Sequence, residues 1–196
     1  MFKSFADKIT SFLIVNKTIK DEEYEVYSYG FEILIAFLVN IVIVLGIGIL
    51  FNKFIHTVIF LACYCPIRQF AGGYHAENYT KCLLTFVAIF VLTITFSNII
   101  DLNLFKGIII IFSILSWLGI YLLAPKEHRN NPLSDKEKAH HKKVTRIMAT
   151  TVLVLTIISM ELNILAEYVL YSTYALFWIC VMLILATMKK DEVKIS

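Results

Sequence analysis

Residues 31–51, FEILIAFLVNIVIVLGIGILF, form one apolar stretch that carries a single charged side chain, Glu32. A helix of that length spans about 30 Å, the thickness of the hydrocarbon core of a bilayer. The whole chain is of the same kind, because 59% of its 196 residues are hydrophobic and 17% are charged, against about a quarter charged in ordinary soluble domains. This composition excludes soluble and disordered chains and predicts an all-α integral membrane protein.

Six apolar runs divide the chain, at residues 31–51, 54–67, 82–100, 107–124, 144–160 and 168–188. Five reach the roughly 17 to 25 residues that a transmembrane helix needs, whereas the second is short, which predicts a tilted or re-entrant helix. We therefore expect one membrane domain over residues 1–196. It comprises an N-terminal interfacial helix (1–30), a six-helix bundle (31–188) and a cytoplasmic tail (189–196).

The distribution of basic residues supports six spans. With a cytoplasmic N-terminus, 16 of the 18 Lys and Arg residues lie on the cytoplasmic side, and only Lys53 and Lys106 lie outside. Membrane proteins concentrate Lys and Arg in their cytoplasmic loops. Removing the second span would reverse every later loop, including the basic stretch from Lys126. The rule therefore predicts that both termini are cytoplasmic.

The first twenty residues predict an amphipathic helix. Its apolar residues recur at helical spacing, and they are Phe2, Phe5, Ile9, Phe12, Leu13 and Ile19. Such a helix either lies in the headgroup region of the bilayer or packs as a cover on the bundle. The sequence leaves both alternatives open.

Two polar interruptions are the places to look for chemistry. They are residues 68–81, RQFAGGYHAENYTK, and residues 125–143, PKEHRNNPLSDKEKAHHKK. Both are predicted to be cytoplasmic. The other loops are short, so these two segments are where water, ionisable groups and a substrate could meet.

Cys82 stands apart from the other cysteines, because Cys63, Cys65 and Cys180 lie inside apolar runs. The four do not form a disulfide framework on the reducing cytoplasmic side. Cys82 follows Asn78, a favourable N-cap residue, and is therefore expected in the first turn of the third span. A thiol at that position is a candidate nucleophile.

A nucleophilic thiol needs a base, and His75 lies seven residues upstream of Cys82. On one continuous helix the two residues would stand about 10 Å apart along the axis, and the imidazole would lean away from the sulfur. We therefore predict a break between them, with the helix starting near Asn78. Gly72 and Gly73 would supply the turn before it.

Two other interpretations of these residues remain open. His75 and Cys82 could be ordinary interfacial side chains. Cys63, Cys65, His75 and Cys82 could instead bind zinc, although their spacing fits no standard zinc motif. His128, His140 and His141 are further metal-ligand types, but their basic surroundings disfavour a cation.

Together, Arg68, Gly72, Gly73, His75 and Cys82 spell R-x3-G-G-x-H-x6-C between two apolar segments. This pattern closely resembles the signature of the AgrB family, the accessory gene regulator B membrane peptidases. The chain length, Ala124-Pro125 and Asn131-Pro132-Leu133 in its Lys-rich segment are also similar to that family. The resemblance covers nearly the whole chain.

The resemblance implies a cysteine endopeptidase of the bacterial cell membrane without a metal or other cofactor. Its substrate would be an AgrD-type quorum-sensing propeptide, with Cys82 as nucleophile and His75 as base. A peptidyl thioester on Cys82 would then cyclise to a thiolactone or lactone. Arg68 is a candidate for a supporting role at the transition state, and Phe70 and Tyr74 for an apolar roof over the site.

The family also implies partners. The acidic tail of an AgrD-type precursor could be held by basic residues, for which the candidates are Lys126, Arg129, Lys142 and Lys143. A homodimer is expected, and Ser113, Ser116, Thr150 and Thr151 would permit helix contacts. No nucleic-acid partner is expected. The main alternative function is a small multi-span transporter or exporter of peptide signals, although the spans offer few ionisable groups at mid-membrane.

Overall fold

The computed structural model of the chain describes residues 2–73, 79–100, 102–126, 133–162 and 166–195, which are almost entirely helical. The seven helices are α1 (Phe2–Val15), α2 (Tyr24–Leu50), α3 (Phe54–Ala71), α4 (Tyr79–Ile99), α5 (Leu102–Leu123), α6 (Asp135–Glu161) and α7 (Ala166–Ile195). A short 3-10 turn over Asp21–Glu23 precedes α2. Helices α2 to α7 are long and apolar enough to cross a bilayer, which confirms the predicted six-span, all-α class.

Several helices extend beyond the apolar runs that predict them. The sequence places the start of the fifth span at residue 144, whereas α6 begins at Asp135. Ser134 caps this helix: its backbone N–H donates to Glu137 at 2.8 Å, and its hydroxyl accepts from the Glu137 backbone N–H at 3.4 Å. This capping box lets the helix start in polar sequence, which hydropathy cannot detect.

The second span is a full helix, α3, of 18 residues with Pro66 inside it. It is the shortest of the six, as predicted, and at about 1.5 Å per residue it reaches about 27 Å. A tight hairpin joins it to α2. A Cβ atom on Gly48 would collide with Thr57 of α3, so the glycine allows close contact of the two helices.

Helix α7 occupies the centre of the bundle and packs against α3, α4, α5 and α6. Its buried apolar residues include Leu176, Ile179 and Leu183, all with no exposed area. Four polar contacts join it to the three preceding helices: Thr173 to Ser113 at 2.9 Å, Ser172 to Thr156 at 2.9 Å, Trp178 to Thr93 at 3.0 Å and Tyr171 to Ser97 at 2.9 Å.

These contacts correct one expectation about the dimer. Ser113 and Ser116 are buried within the chain, and Thr150 accepts a hydrogen bond from Trp117 of the same chain at 2.9 Å. Ser113 therefore joins α5 to α7 inside one subunit, whereas Ser116 donates to the Phe112 carbonyl of its own helix. Thr151 is exposed.

Helix α1 packs on α2 through its small residues. Ala6 and Thr10 are fully buried there, and Ser28 of α2 donates a hydrogen bond to Asp7 at 2.6 Å. Phe5 and Phe12 of the predicted apolar stripe are exposed. The prediction that the stripe reaches Ile19 is wrong, because the helix ends at Val15. Helix α1 thus covers α2 with one face and presents its apolar face outward.

Successive helices run antiparallel. Phe60 of α3 contacts Phe90 of α4, and Tyr64 contacts Phe86, with centroid separations of 5.5 and 5.3 Å. The C-terminus of α3, the N-terminus of α4, the C-terminus of α5 and the N-terminus of α6 therefore lie at one end of the bundle, here called the motif end. The N-termini of α3, α5 and α7 lie at the opposite end.

Candidate active site

Cys82 lies in the first turn of α4, which begins at Tyr79. Among the described residues, α3 ends at Ala71 and α4 begins at Tyr79. The predicted N-cap Asn78 and the predicted break after His75 lie outside these residues. The Cys82 residue is exposed. His75 lies outside the described residues, as do Tyr74, His128 and Arg129 of the sequence predictions.

Arg68 in the last turn of α3 faces the start of α4. The tilted ring contacts between these helices place Arg68 and Cys82 one turn further on, at the same end of the bundle. There the charge of the guanidinium acts on the thiol. Arg68 also forms a hydrogen bond with the hydroxyl of Tyr64. Tyr64 is buried, with 5% of its surface exposed. The structure therefore brings Arg68 and Cys82 together.

Gly72 and Gly73 form the turn that ends α3. Their φ angles are +68° and +120°, values that glycine adopts readily and other residues rarely do. A Cβ on Gly73 would lie 2.5 Å from a guanidinium nitrogen of Arg68. The absence of a Cβ atom at Gly73 therefore leaves space for the Arg68 side chain beside the turn.

The turn also joins the two polar segments. Gly72 and Lys126 form an isolated parallel bridge, and the Lys126 N–H donates to the Ala71 carbonyl at 2.9 Å. A Cβ on Gly72 would collide with the Lys126 backbone. Of the four predicted tail-binding cations, Lys126 is thus placed directly beside the Gly-Gly turn.

Lys142 and Lys143 lie elsewhere. They line a groove on the flank of α6, together with Arg146 and Tyr121 of α5. The preceding residue of α6, His141, lies on another face of the helix and contacts Phe70 of α3, with ring centroids 5.3 Å apart. The structure therefore separates these two lysines from Lys126.

The structure does not support the zinc interpretation. Within the described ranges no three His, Cys, Asp or Glu side chains gather in a way that could hold a metal. Cys63 and Cys65 instead pack against the hydrophobic core. The described cysteines therefore behave as small apolar residues, except for Cys82.

Sequence reasoning missed two residues of this region. Tyr64 precedes Arg68 by one helical turn, so an i, i+4 pairing on α3 could have suggested their contact. Arg146 donates to the Tyr121 carbonyl at 3.1 Å, and its guanidinium carbon lies 3.8 Å above the Tyr121 ring. No local signal links residues on two different helices in this way.

Comparisons with known proteins identify the family of the chain. The family model described as accessory gene regulator B matches residues 6–186. Accessory gene regulator protein B of Staphylococcus aureus (strain bovine RF122 / ET3-1) is 24% identical over 157 residues, covering 80% of this chain and 83% of that protein. An AgrB-like protein of Clostridium perfringens (strain 13 / Type A) is 28% identical over 166 residues, covering 82% and 76%. No solved structure matches the chain. The chain therefore belongs to the AgrB family, accessory gene regulator B.

Proposed function

We propose that this protein is a membrane cysteine endopeptidase that removes the C-terminal tail of an AgrD-type propeptide and promotes its cyclisation. Cys82 is the nucleophile and His75 is the general base. One observation carries the proposal: the exposed Cys82 lies in the first turn of α4, within reach of the charge of Arg68. It also closes the R-x3-G-G-x-H-x6-C pattern.

The chemistry runs in two steps. His75 accepts the thiol proton as Cys82 Sγ attacks the carbonyl carbon of the scissile bond, and the C–N bond breaks as His75 gives that proton to the leaving amine. A peptidyl thioester then joins the peptide to Cys82. A Cys or Ser side chain of the bound peptide gives its proton to His75 and attacks the thioester carbonyl carbon. The C–S bond to Cys82 breaks, His75 returns the proton to the Cys82 sulfur, and a thiolactone or lactone ring closes.

The start of α4 suits the charge that develops in the first step. The first four N–H groups of a helix lack partners within the helix, and the N-terminus carries partial positive charge. Donors of this kind stabilise the oxygen of a tetrahedral intermediate. The guanidinium of Arg68 adds a full positive charge near the same sulfur.

The position of Lys126 bears on how the substrate tail would be held. Its backbone is paired with Gly72, so a substrate tail held by the Lys126 side chain would lie close to the Gly-Gly turn. An acidic tail is attracted to such a cation. We place this end of the bundle in the cytoplasm, where Lys and Arg concentrate, and we infer a homodimer from the family.

Co-expression with an AgrD-type propeptide tests this proposal. Mass spectrometry would detect the released tail, the cyclic product and a thioester on the protein. We expect all three with the wild type and none with Cys82→Ala. His75→Ala should reduce cleavage at least about a hundredfold, which is the usual contribution of a general base.

Cys63→Ala is the matched control, because it also removes a thiol from a helix of the bundle but far from the turn. Its cleavage should equal that of the wild type at the same expression level. Cleavage that persists in Cys82→Ala would overturn the mechanism. Full activity of His75→Ala would remove this residue as the base.

A further inference from the structure

A groove on the outer flank of α6 takes no part in the proposed peptidase chemistry. It is lined on α6 by residues three and four positions apart, and α5 contributes Tyr121. Residues at this spacing share one face of a helix. The groove therefore follows the helix axis, which is the direction in which α6 crosses the membrane.

Charge is distributed unevenly along this groove. Lys142, Lys143 and Arg146 lie at the motif end, whereas Val154 and Leu155 lie further along. From residue 142 to residue 155 the helix rises about 20 Å. That length corresponds to a headgroup region plus about half of a 30 Å hydrocarbon core, or one leaflet.

The three cations have no acidic partner in the part of the chain that the structure describes. The described lining of the groove contains no Asp or Glu either. Arg146 is held in place by the ring and carbonyl of Tyr121, at 3.8 and 3.1 Å. Its buried Nε–H has no hydrogen-bond partner among the described residues. A fixed guanidinium with a spare donor, next to two lysines, suits a phosphate group.

The far part of the groove suits a hydrocarbon chain. Of the two threonines that line the groove at this level, Thr150 already accepts the Trp117 hydrogen bond. Val154 and Leu155 are 46% and 58% exposed, and on a helix that spans the bilayer they face lipid. An acidic peptide tail would satisfy the cations but would leave this apolar half without a matching partner.

We propose that the groove between α5 and α6 binds one anionic phospholipid. Its phosphate lies on Lys142, Lys143 and Arg146, and an acyl chain lies against Val154 and Leu155. Basic residues between helices at a membrane surface bind anionic headgroups in this way. The site is independent of the proposed cleavage reaction, since it lies on the flank of α6 and not at Cys82.

Native mass spectrometry of the full-length protein in detergent tests the site. The probes are phosphatidylglycerol and, as the neutral lipid, phosphatidylethanolamine. We expect the wild type to retain one phosphatidylglycerol molecule at least about tenfold more strongly than the neutral lipid, since each nearby Lys or Arg contributes about 1 kcal/mol. The triple variant Lys142→Gln, Lys143→Gln, Arg146→Gln should lose this preference.

Two further variants keep the test decisive. Lys3→Gln, Lys17→Gln, Lys136→Gln removes the same charge elsewhere and should retain the lipid. Thr151→Trp fills the groove without changing charge and should displace it. Equal retention of phosphatidylglycerol by both triple variants would overturn the site, as would equal retention of the two lipids by the wild type. Displacement of the lipid by millimolar glycerol phosphate, or by a soluble acidic peptide, would also overturn it, because charge alone would then suffice.

Discussion

The two ends of the helix bundle are held together by different kinds of contact, side-chain contacts at one end and a backbone bridge at the other. At the opposite end, side chains join the helices: Lys106 forms an ion pair with Glu161 at 3.6 Å, and the His56 imidazole lies 3.8 Å from the Glu167 carboxylate. At the motif end, a backbone bridge between Gly72 and Lys126 joins the segments that follow α3 and α5. Only the motif end carries the predicted reactive residues.

This difference has a chemical meaning. Ion pairs engage the charged groups that form them, so a surface held by ion pairs has few charges left for a ligand. Backbone pairing leaves the side chains of the paired residues available. The motif end can therefore be held in a fixed geometry while Lys126 and the exposed Cys82 remain accessible.

The largest effect on stability and cleavage is expected from Gly72→Ala at the motif end. The added methyl group collides with the Lys126 backbone at a φ of +68°. We expect the free energy of unfolding to fall by about 1–3 kcal/mol. The cleavage rate should fall about a hundredfold, because small displacements of reacting groups cost that much. Thermal unfolding in detergent and the propeptide cleavage assay measure the two effects.

Gly30→Ala is the matched control for that change. Gly30 is a helical glycine in α2 with nothing within 4 Å of an added Cβ, so alanine there should leave stability unchanged or raise it slightly. If Gly72→Ala behaved like this control, the backbone bridge would not be what holds the two polar segments together.

A smaller effect is expected from His56→Ala at the opposite end. The His56 ring lies 4.6 Å from that of Tyr168 and 4.9 Å from that of Tyr171. Loss of both ring contacts should lower the unfolding free energy by about 2 kcal/mol. Cleavage per folded molecule should not change. His56→Phe keeps an aromatic ring and should recover most of the stability, and a fall in its cleavage rate would contradict the independence of the two ends.

The smallest effect is expected from Tyr64→Phe, which removes the hydroxyl that bonds to Arg68. We expect a loss of about 1 kcal/mol in stability. The value of kcat should fall severalfold with little change in KM, because Tyr64 positions Arg68 and does not contact the substrate. Tyr29→Phe, at an exposed residue of α2, is the control. An unchanged kcat in Tyr64→Phe would show that Arg68 needs no such support.

The parts of the fold that could be predicted are the local ones. Six spans follow from runs of apolar residues, and the turn after α3 follows from Gly72 and Gly73. The position of α7 could not be predicted, because all six spans are apolar on every side. Nothing in their sequences distinguishes a central helix from a peripheral one. The early start of α6 was missed because its first turns are polar and stand outside the hydrocarbon.

In the candidate site, too, the local contacts could be predicted and the long-range contacts could not. Arg68, the Gly-Gly turn and Cys82 lie within one short segment, so their proximity was predictable. The bridge from Gly72 to Lys126 joins residues far apart in the sequence through backbone atoms, which leave no side-chain signal. From the sequence, Lys142 and Lys143 could not be distinguished from Lys126 as candidate tail-binding cations. The structure places them in the groove along α6, whereas Lys126 lies at the Gly-Gly turn.

The central position of α7 has a consequence for biogenesis, because α7 leaves the ribosome after α1 to α6. Its Met182 carbonyl would lie 3.4 Å from a Cβ at Gly73, so the last helix forms one wall of the Gly-Gly turn. Until it inserts, Thr93, Ser113 and Thr156 on three earlier helices lack the partners that α7 brings. We therefore expect a chain in which α7 has not yet inserted to be inactive in the propeptide cleavage assay.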